Sequence, residues 1–181
     1  MRELSPQTLS ETDRRLVAAW AADCVEHVLG LFEAESPRDG RLRVLIARTR
    51  AFSRGELNTA EEIRRRFAGG VSASEIKSPA AKAVVRAAGQ AVAVCHMGAH
   101  ALSTSACAVA AASLANPDKP ETVETEIRWQ LDHMSLEVRT ALQKLPPIDK
   151  ISSGPLGPGL NTSGQLGAII RKLQVGLQST R

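Results

Sequence analysis

His96 and His100 stand four residues apart in the run VCHMGAH, with Cys95 beside them. On one helix that spacing puts two imidazoles on the same face, as a metal site requires. No Glu follows His96 to serve as a metalloprotease base, no third ligand is marked, and Gly98 interrupts the helix that would fix the spacing. No metal is therefore assigned. The two histidines read as core residues donating to a carbonyl or to the side chains of Gln90 or His27, because an unpaired buried polar group is costly. Cys24 and His27, three apart, have the better spacing for a thiol and its base, yet nothing signals a third orienting group or an oxyanion donor. Cys24, Cys95 and Cys107 form no C-x-x-C pair and sit among Ala, Val and Ser, which describes free, buried thiols. No Gly-rich phosphate loop occurs. The expectation is a protein without a catalytic residue or a cofactor. The alternative is a helical small-molecule- or metal-binding protein whose pocket is lined by Trp20, His27, His96, His100 and Trp129.

Arginine supplies the other chemistry. Residues 1–36 hold three basic and seven acidic groups, whereas residues 37–67 hold nine arginines against four acids, inside a total of +4. Charge separated in this way steers partners or simply solvates a helix face. Arg43, Arg48, Arg50 and Arg65 are the candidate partner contacts, since guanidinium pairs bidentately with carboxylate and is enriched at interfaces. Nucleic acid is disfavoured: aromatic residues hardly interleave with the arginines, and Glu56, Glu61 and Glu62 alternate with them.

The elements that position these groups read as helices throughout. The chain of 181 residues has no Tyr, three Phe and two Trp, and its abundant Ala and Leu with short β-branched runs favour an all-α class. Ser10-Glu11-Thr12-Asp13 caps a first helix reaching about Ala34, in which Trp20, Cys24, His27 and Leu31 share a side and Arg14, Arg15, Glu26, Glu33 and Glu35 reach solvent. A second helix begins near Arg41 with its arginines at the rim and outer face, and Thr59-Ala60-Glu61-Glu62 opens a short third that stops at Gly69-Gly70. From Ser78-Pro79 an Ala-rich stretch extends to about Ala115 with its break at Gly98. Val123, Ile127, Leu131 and Met134 mark a further helix, and Ser135 caps a last turn through Val138 and Leu142. The expected architecture is a single compact bundle of about six to seven helices over residues 1–145. A Pro/Gly/Ser-rich mobile linker over 146–164 and an amphipathic tail over 165–181, able to form a terminal helix, complete it. No apolar run approaches the roughly 20 residues that cross a bilayer, and the first residues lack a signal-peptide core. A cytoplasmic protein without membrane contact is expected, and a homodimer is compatible with the sequence.

The segments AAWAADCVEHVLGLFEAE, SPRDGRLRVLIARTRAFSRGEL, AVVRAAGQAVAVCHMGAHALSTSACAVAA and IRWQLDHMSLEVR follow one another in an order that resembles the bacterial immunity proteins, more narrowly the immunity-five-like domain of polymorphic toxin systems. The resemblance covers roughly residues 10–144. It implies a helical protein that binds and neutralises a cognate protein toxin stoichiometrically. Residues 58–77, an Ala-rich helix in the family, are here a short charged helix and a Gly-Gly loop, and the tail after Leu145 lies outside the resemblance.

Overall fold

Ser10 begins the first helix by accepting from the backbone N–H of Asp13 at 3.0 Å and donating to its carboxylate at 2.8 Å. A side-chain cap of this kind contributes about 1 kcal/mol. The structure is a computed structural model that describes residues 4–179. Among them it has eight α-helices and no strand: α1 (Glu11–Glu33), α2 (Arg41–Ser53), α3 (Thr59–Arg64), α4 (Pro79–Ala93), α5 (His100–Ala115), α6 (Thr122–Asp132), α7 (Leu136–Gln143) and α8 (Gly164–Gln178). One 3-10 turn, Ala73–Glu75, precedes α4. The all-α expectation holds.

α5 is the axis of the molecule. Every residue from Ala101 to Ala111 is buried, and α1, α4, α6 and α8 all pack on it. Small side chains make this possible, because Ala and Ser let helix axes approach from several sides without a void. A helix apolar on all sides is a core helix, which explains the long uncharged stretch after Arg86. The hairpin turns where Gly98 was expected to break it. Gly98 N–H donates to the Thr8 carbonyl and Ala99 N–H to that of Gln7, both at 3.0 Å, so the N-terminal segment lies across the α4–α5 elbow. A Cβ on Gly98 would sit 2.5 Å from the Leu9 side chain. Glycine is required there by close approach.

Two readings of α1 change. Arg14, expected in solvent, is 8 % exposed and donates to the Leu9 carbonyl at 2.9 Å. His27, placed with Trp20 and Cys24 on the apolar side, has a side chain 35 % exposed. The buried face is centred on Val17, Ala21, Val25, Val28 and Phe32, because α1 meets α2, α4, α5 and α7 rather than one neighbour.

The segment after α7 carries no regular structure, as its composition demands, but it is fitted to the body rather than free of it. Leu156 is fully buried, with Leu145 and Ile148 beside the core. The Gln7 amide donates to the Ser153 carbonyl at 2.8 Å and accepts from the Leu156 N–H at 2.8 Å. The Gln174 side chain bridges Pro146 and Ile148 in the same manner. This strap leads into α8, whose last carbonyls, Gly176 and Leu177, accept from Arg139.

Candidate functional site

The acidic α1 and the basic α2 face each other, so the charge separation in the sequence is largely satisfied internally. Arg43 pairs with Glu33, and Arg50 with both Glu26 at 2.6 Å and Asp23 at 2.8 Å. Arg15 donates to the Phe52 carbonyl and lies over its ring. These exposed pairs hold the Glu26 carboxyl below its usual range, chiefly through the Arg50 hydrogen bond, and each contributes at most about 1 kcal/mol.

Of the four arginines expected at the surface, Arg48 points inward. Its side chain is 9 % exposed and is paired with Glu62, itself 3 % exposed. It also donates to the Arg65 carbonyl at 2.8 Å and the Ala68 carbonyl at 3.2 Å, which ties α3 and its trailing turns to α2. Arg43 and Arg65 remain more than half exposed, and Arg50 is about one-third exposed. Beyond α3, Phe67 is 83 % exposed, with Arg66 stacked 4.5 Å over its ring.

The five residues expected to line one pocket occupy two places. Trp20, His27 and Trp129 meet where α1 crosses α6. The His27 and Trp129 rings stack at 3.5 Å and 3°, His133 stacks on the other side of Trp129 at 4.1 Å, and the Trp20 indole donates to the Gln130 carbonyl at 2.9 Å. His27 Nδ1 is 3.0 Å from Glu126, which also accepts from Gln130 at 3.1 Å; Gln130 in turn accepts from Ser105 on α5. Glu126, Gln130, His133 and Ser105 were not singled out from sequence. Their i,i+4 spacings, Glu126 to Gln130 and Trp129 to His133, were the available signal.

His96 and His100 belong to a separate cleft of about 580 Å³ at the α4–α5 elbow. α4 ends at Ala93, so His96 lies on the turn and only His100 is helical. The His100 Nδ1 is 2.6 Å from the Gln90 carbonyl oxygen, the partner expected of a satisfied core histidine. Burial pushes the His100 imidazole down to about 4, with His96 and Arg66 adding to it. Burial likewise lowers His96, with Arg66 and Arg14 contributing. Among the described residues no three His, Cys, Asp or Glu side chains converge on a metal position. Cys24, Cys95 and Cys107 are all buried; burial raises each thiol, Cys95 and Cys107 to about 11, so they stay protonated at neutral pH.

The depressed His100 sets a stability profile. In the unfolded chain the imidazole binds its proton near its ordinary 6.5, while the folded form resists until about 4. Stability is thus complete above about 6.5 and falls through that window by on the order of a few kcal/mol. His100→Gln should flatten the urea-midpoint profile between those values. An unchanged slope would assign the acid sensitivity elsewhere.

A second cleft of about 570 Å³ separates α6 and α8. Its Lys172 is paired with Glu124, Arg171 with Asp149, and Arg139 with the α8 carbonyls, so these three cations are used in holding α8. No helix among the described residues is long and apolar enough to cross a membrane.

The fold is all-helical, with paired charge across its first two helices, an exposed Arg/Phe turn and an open elbow cleft. The chain belongs to the Imm-5 like putative immunity protein family, whose model matches residues 7–137. That span runs from the N-terminal segment into α7 and leaves the strap and α8 outside. No curated protein and no solved structure matches.

Proposed function

We propose that this protein neutralises a cognate bacterial toxin by binding it stoichiometrically in the cytoplasm, without turning over a substrate. The observation that carries this reading is the family match over residues 7–137. The contact face is the end of α3 and the turn beyond it. There Arg65 and Phe67 are exposed, and Arg64 is exposed beside them; arginine and aromatic side chains dominate interface energetics. Arg43 and Arg50 flank the face, held by α1 carboxylates, and Arg65 itself pairs loosely with Glu62 at 3.6 Å, so a partner would have to compete least for Arg65. Arg48 supports the face from beneath. A partner surface rich in carboxylates fits, because like charges placed across an interface are repelled.

The test is co-expression with a toxin captured from the native cells by the tagged protein, followed by growth rescue and the stoichiometry of the purified complex. Rescue with a one-to-one complex is expected. Arg65→Glu and Phe67→Ala should each weaken the complex by about tenfold or more, equivalent to roughly 1.4 kcal/mol, and Arg43→Glu by less. Toxicity undiminished with no complex formed would refute the immunity reading. A complex indifferent to both Arg65 and Phe67 would refute only the face.

A further inference from the structure

The elbow cleft has the composition of a ligand site rather than of a packing gap. Its volume of about 580 Å³ falls within the range of small-molecule pockets, roughly 300–1,000 Å³. Val71, Val85 and Val92 form apolar walls, and the polar groups are Arg66, Arg86, Gln90, His96, His100 and, from the strap, Asn161. No carboxylate lines it. In a protein whose other arginines so often meet a carboxylate, that is a marked change of chemistry.

The donors are also unspent. Arg86 is exposed and makes no hydrogen bond or ion pair among the described residues. Arg66 gives one N–H to the Ile63 carbonyl and retains the rest of its fork. The His96 ring has no hydrogen-bond partner among the described residues, and Gln90 uses its oxygen on His100, leaving its amide N–H groups for the cleft. Arg66 and Arg86, from different elements, bring two guanidinium groups to one partly apolar lining that holds no carboxylate. Such a site gains most from a ligand that brings one negative charge and a flat apolar body.

We propose that the elbow cleft binds a small aromatic carboxylate, with Arg66 and Arg86 on the carboxylate, the valine walls and Phe67 on the ring, and Gln90 and His96 as flanking hydrogen-bond groups. The site shares Phe67 with the proposed toxin face, but its anion-holding groups, Arg66 and Arg86, are not among that face's contacts. The groups facing His96 and His100 are each other, Arg66 and Arg14, with Arg86 on the same lining. All are basic, so a bound anion favours the protonated imidazoles, and by linkage the ligand binds more tightly as pH falls.

The experiment is calorimetric titration of the full chain with benzoate, 1-naphthoate and indole-3-acetate. The neutral isostere 1-naphthamide and the ring-free acetate serve as comparators. A saturable one-to-one isotherm is expected for at least one aromatic acid, with 1-naphthamide and acetate weaker than it by about tenfold or more. Arg66→Gln and Arg86→Gln should each reduce its affinity by a similar factor, while Arg128→Gln, in the α6–α8 cleft, should leave it unchanged. Proton NMR of the imidazoles should show His96 or His100 titrating at higher pH when the ligand is bound. Any of three results overturns the proposal: no aromatic acid binding at about millimolar concentration, the amide binding as tightly as the acid, or affinity unchanged in both arginine variants. Growth rescue by the Arg86→Gln variant, measured in parallel, keeps failure here distinct from failure of the immunity reading.

Discussion

Glu62→Gln should cost about 3–5 kcal/mol of folding stability, the largest effect expected of a single polar substitution in this chain. Arg48 is held between α2 and the turn after α3 with 9 % of its side chain exposed, and Glu62 is its only carboxylate partner among the described residues. Removing that charge leaves a desolvated guanidinium with two carbonyls to satisfy it. Arg48→Met with Glu62→Leu together should recover much of the loss, since apolar replacement of both partners removes the buried charge altogether. By contrast Arg43→Ala, at a pair whose arginine is 63 % exposed, should cost less than about 1 kcal/mol. Equilibrium urea unfolding measures all of these. If Glu62→Gln behaved like Arg43→Ala, the pair would be open to water and α3 would not depend on it.

Leu156→Ala should lower stability by about 2–5 kcal/mol, the range for emptying a fully buried leucine site. Leu156 lies in a stretch whose composition is that of a tether, and its side chain has no exposed surface. A tether would tolerate the change with an effect near zero, so this substitution separates the two descriptions sharply. Gln7→Ala tests the same seam from the other end. It strips the Ser153 carbonyl and the Leu156 N–H of their partners, at about 1–3 kcal/mol for each group left unpaired. Against a total stability of roughly 5–15 kcal/mol for a single domain, either variant should lower the urea midpoint visibly and expose residues 146–163 to protease.

Much of the helical order was legible because caps and breakers act locally. Ser10, Ser78 and Ser135 accept backbone N–H groups at the starts of α1, α4 and α7, α3 is capped by Asn58, one residue before the expected Thr59, and Gly98 lies in the turn between the core helices. The burial of α5 was legible from its lack of charge. Side-chain destinations that depend on which helices meet were not. Arg14 and Arg48 have the spacing of surface residues on their own helices, yet α1 and α2 each have neighbours on more than one side. His27 shares a helical face with Trp20 and still reaches the surface, because α6 meets it there through the Trp129 indole stacked on one face of the ring. Of the pocket expected from sequence, His96 and His100 share a cleft while Trp20, His27 and Trp129 share a helix crossing. No spacing within one helix could separate those two places. The cleft's arginines, Arg66 and Arg86, come from segments about twenty residues apart in sequence and meet only through the fold.

The order in which the chain is synthesised gives the position of α8 a further meaning. α5, the most apolar helix, is covered on one side by α8, which is translated well after it. At about 5–20 residues per second, that side of α5 stays uncovered for several seconds after the helix itself has emerged, and Gln7 waits for Ser153 and Leu156. The nascent protein therefore presents a sticky intermediate to chaperones and to other chains until α8 has emerged, and a stop codon upstream of α8 would leave that intermediate as the end product.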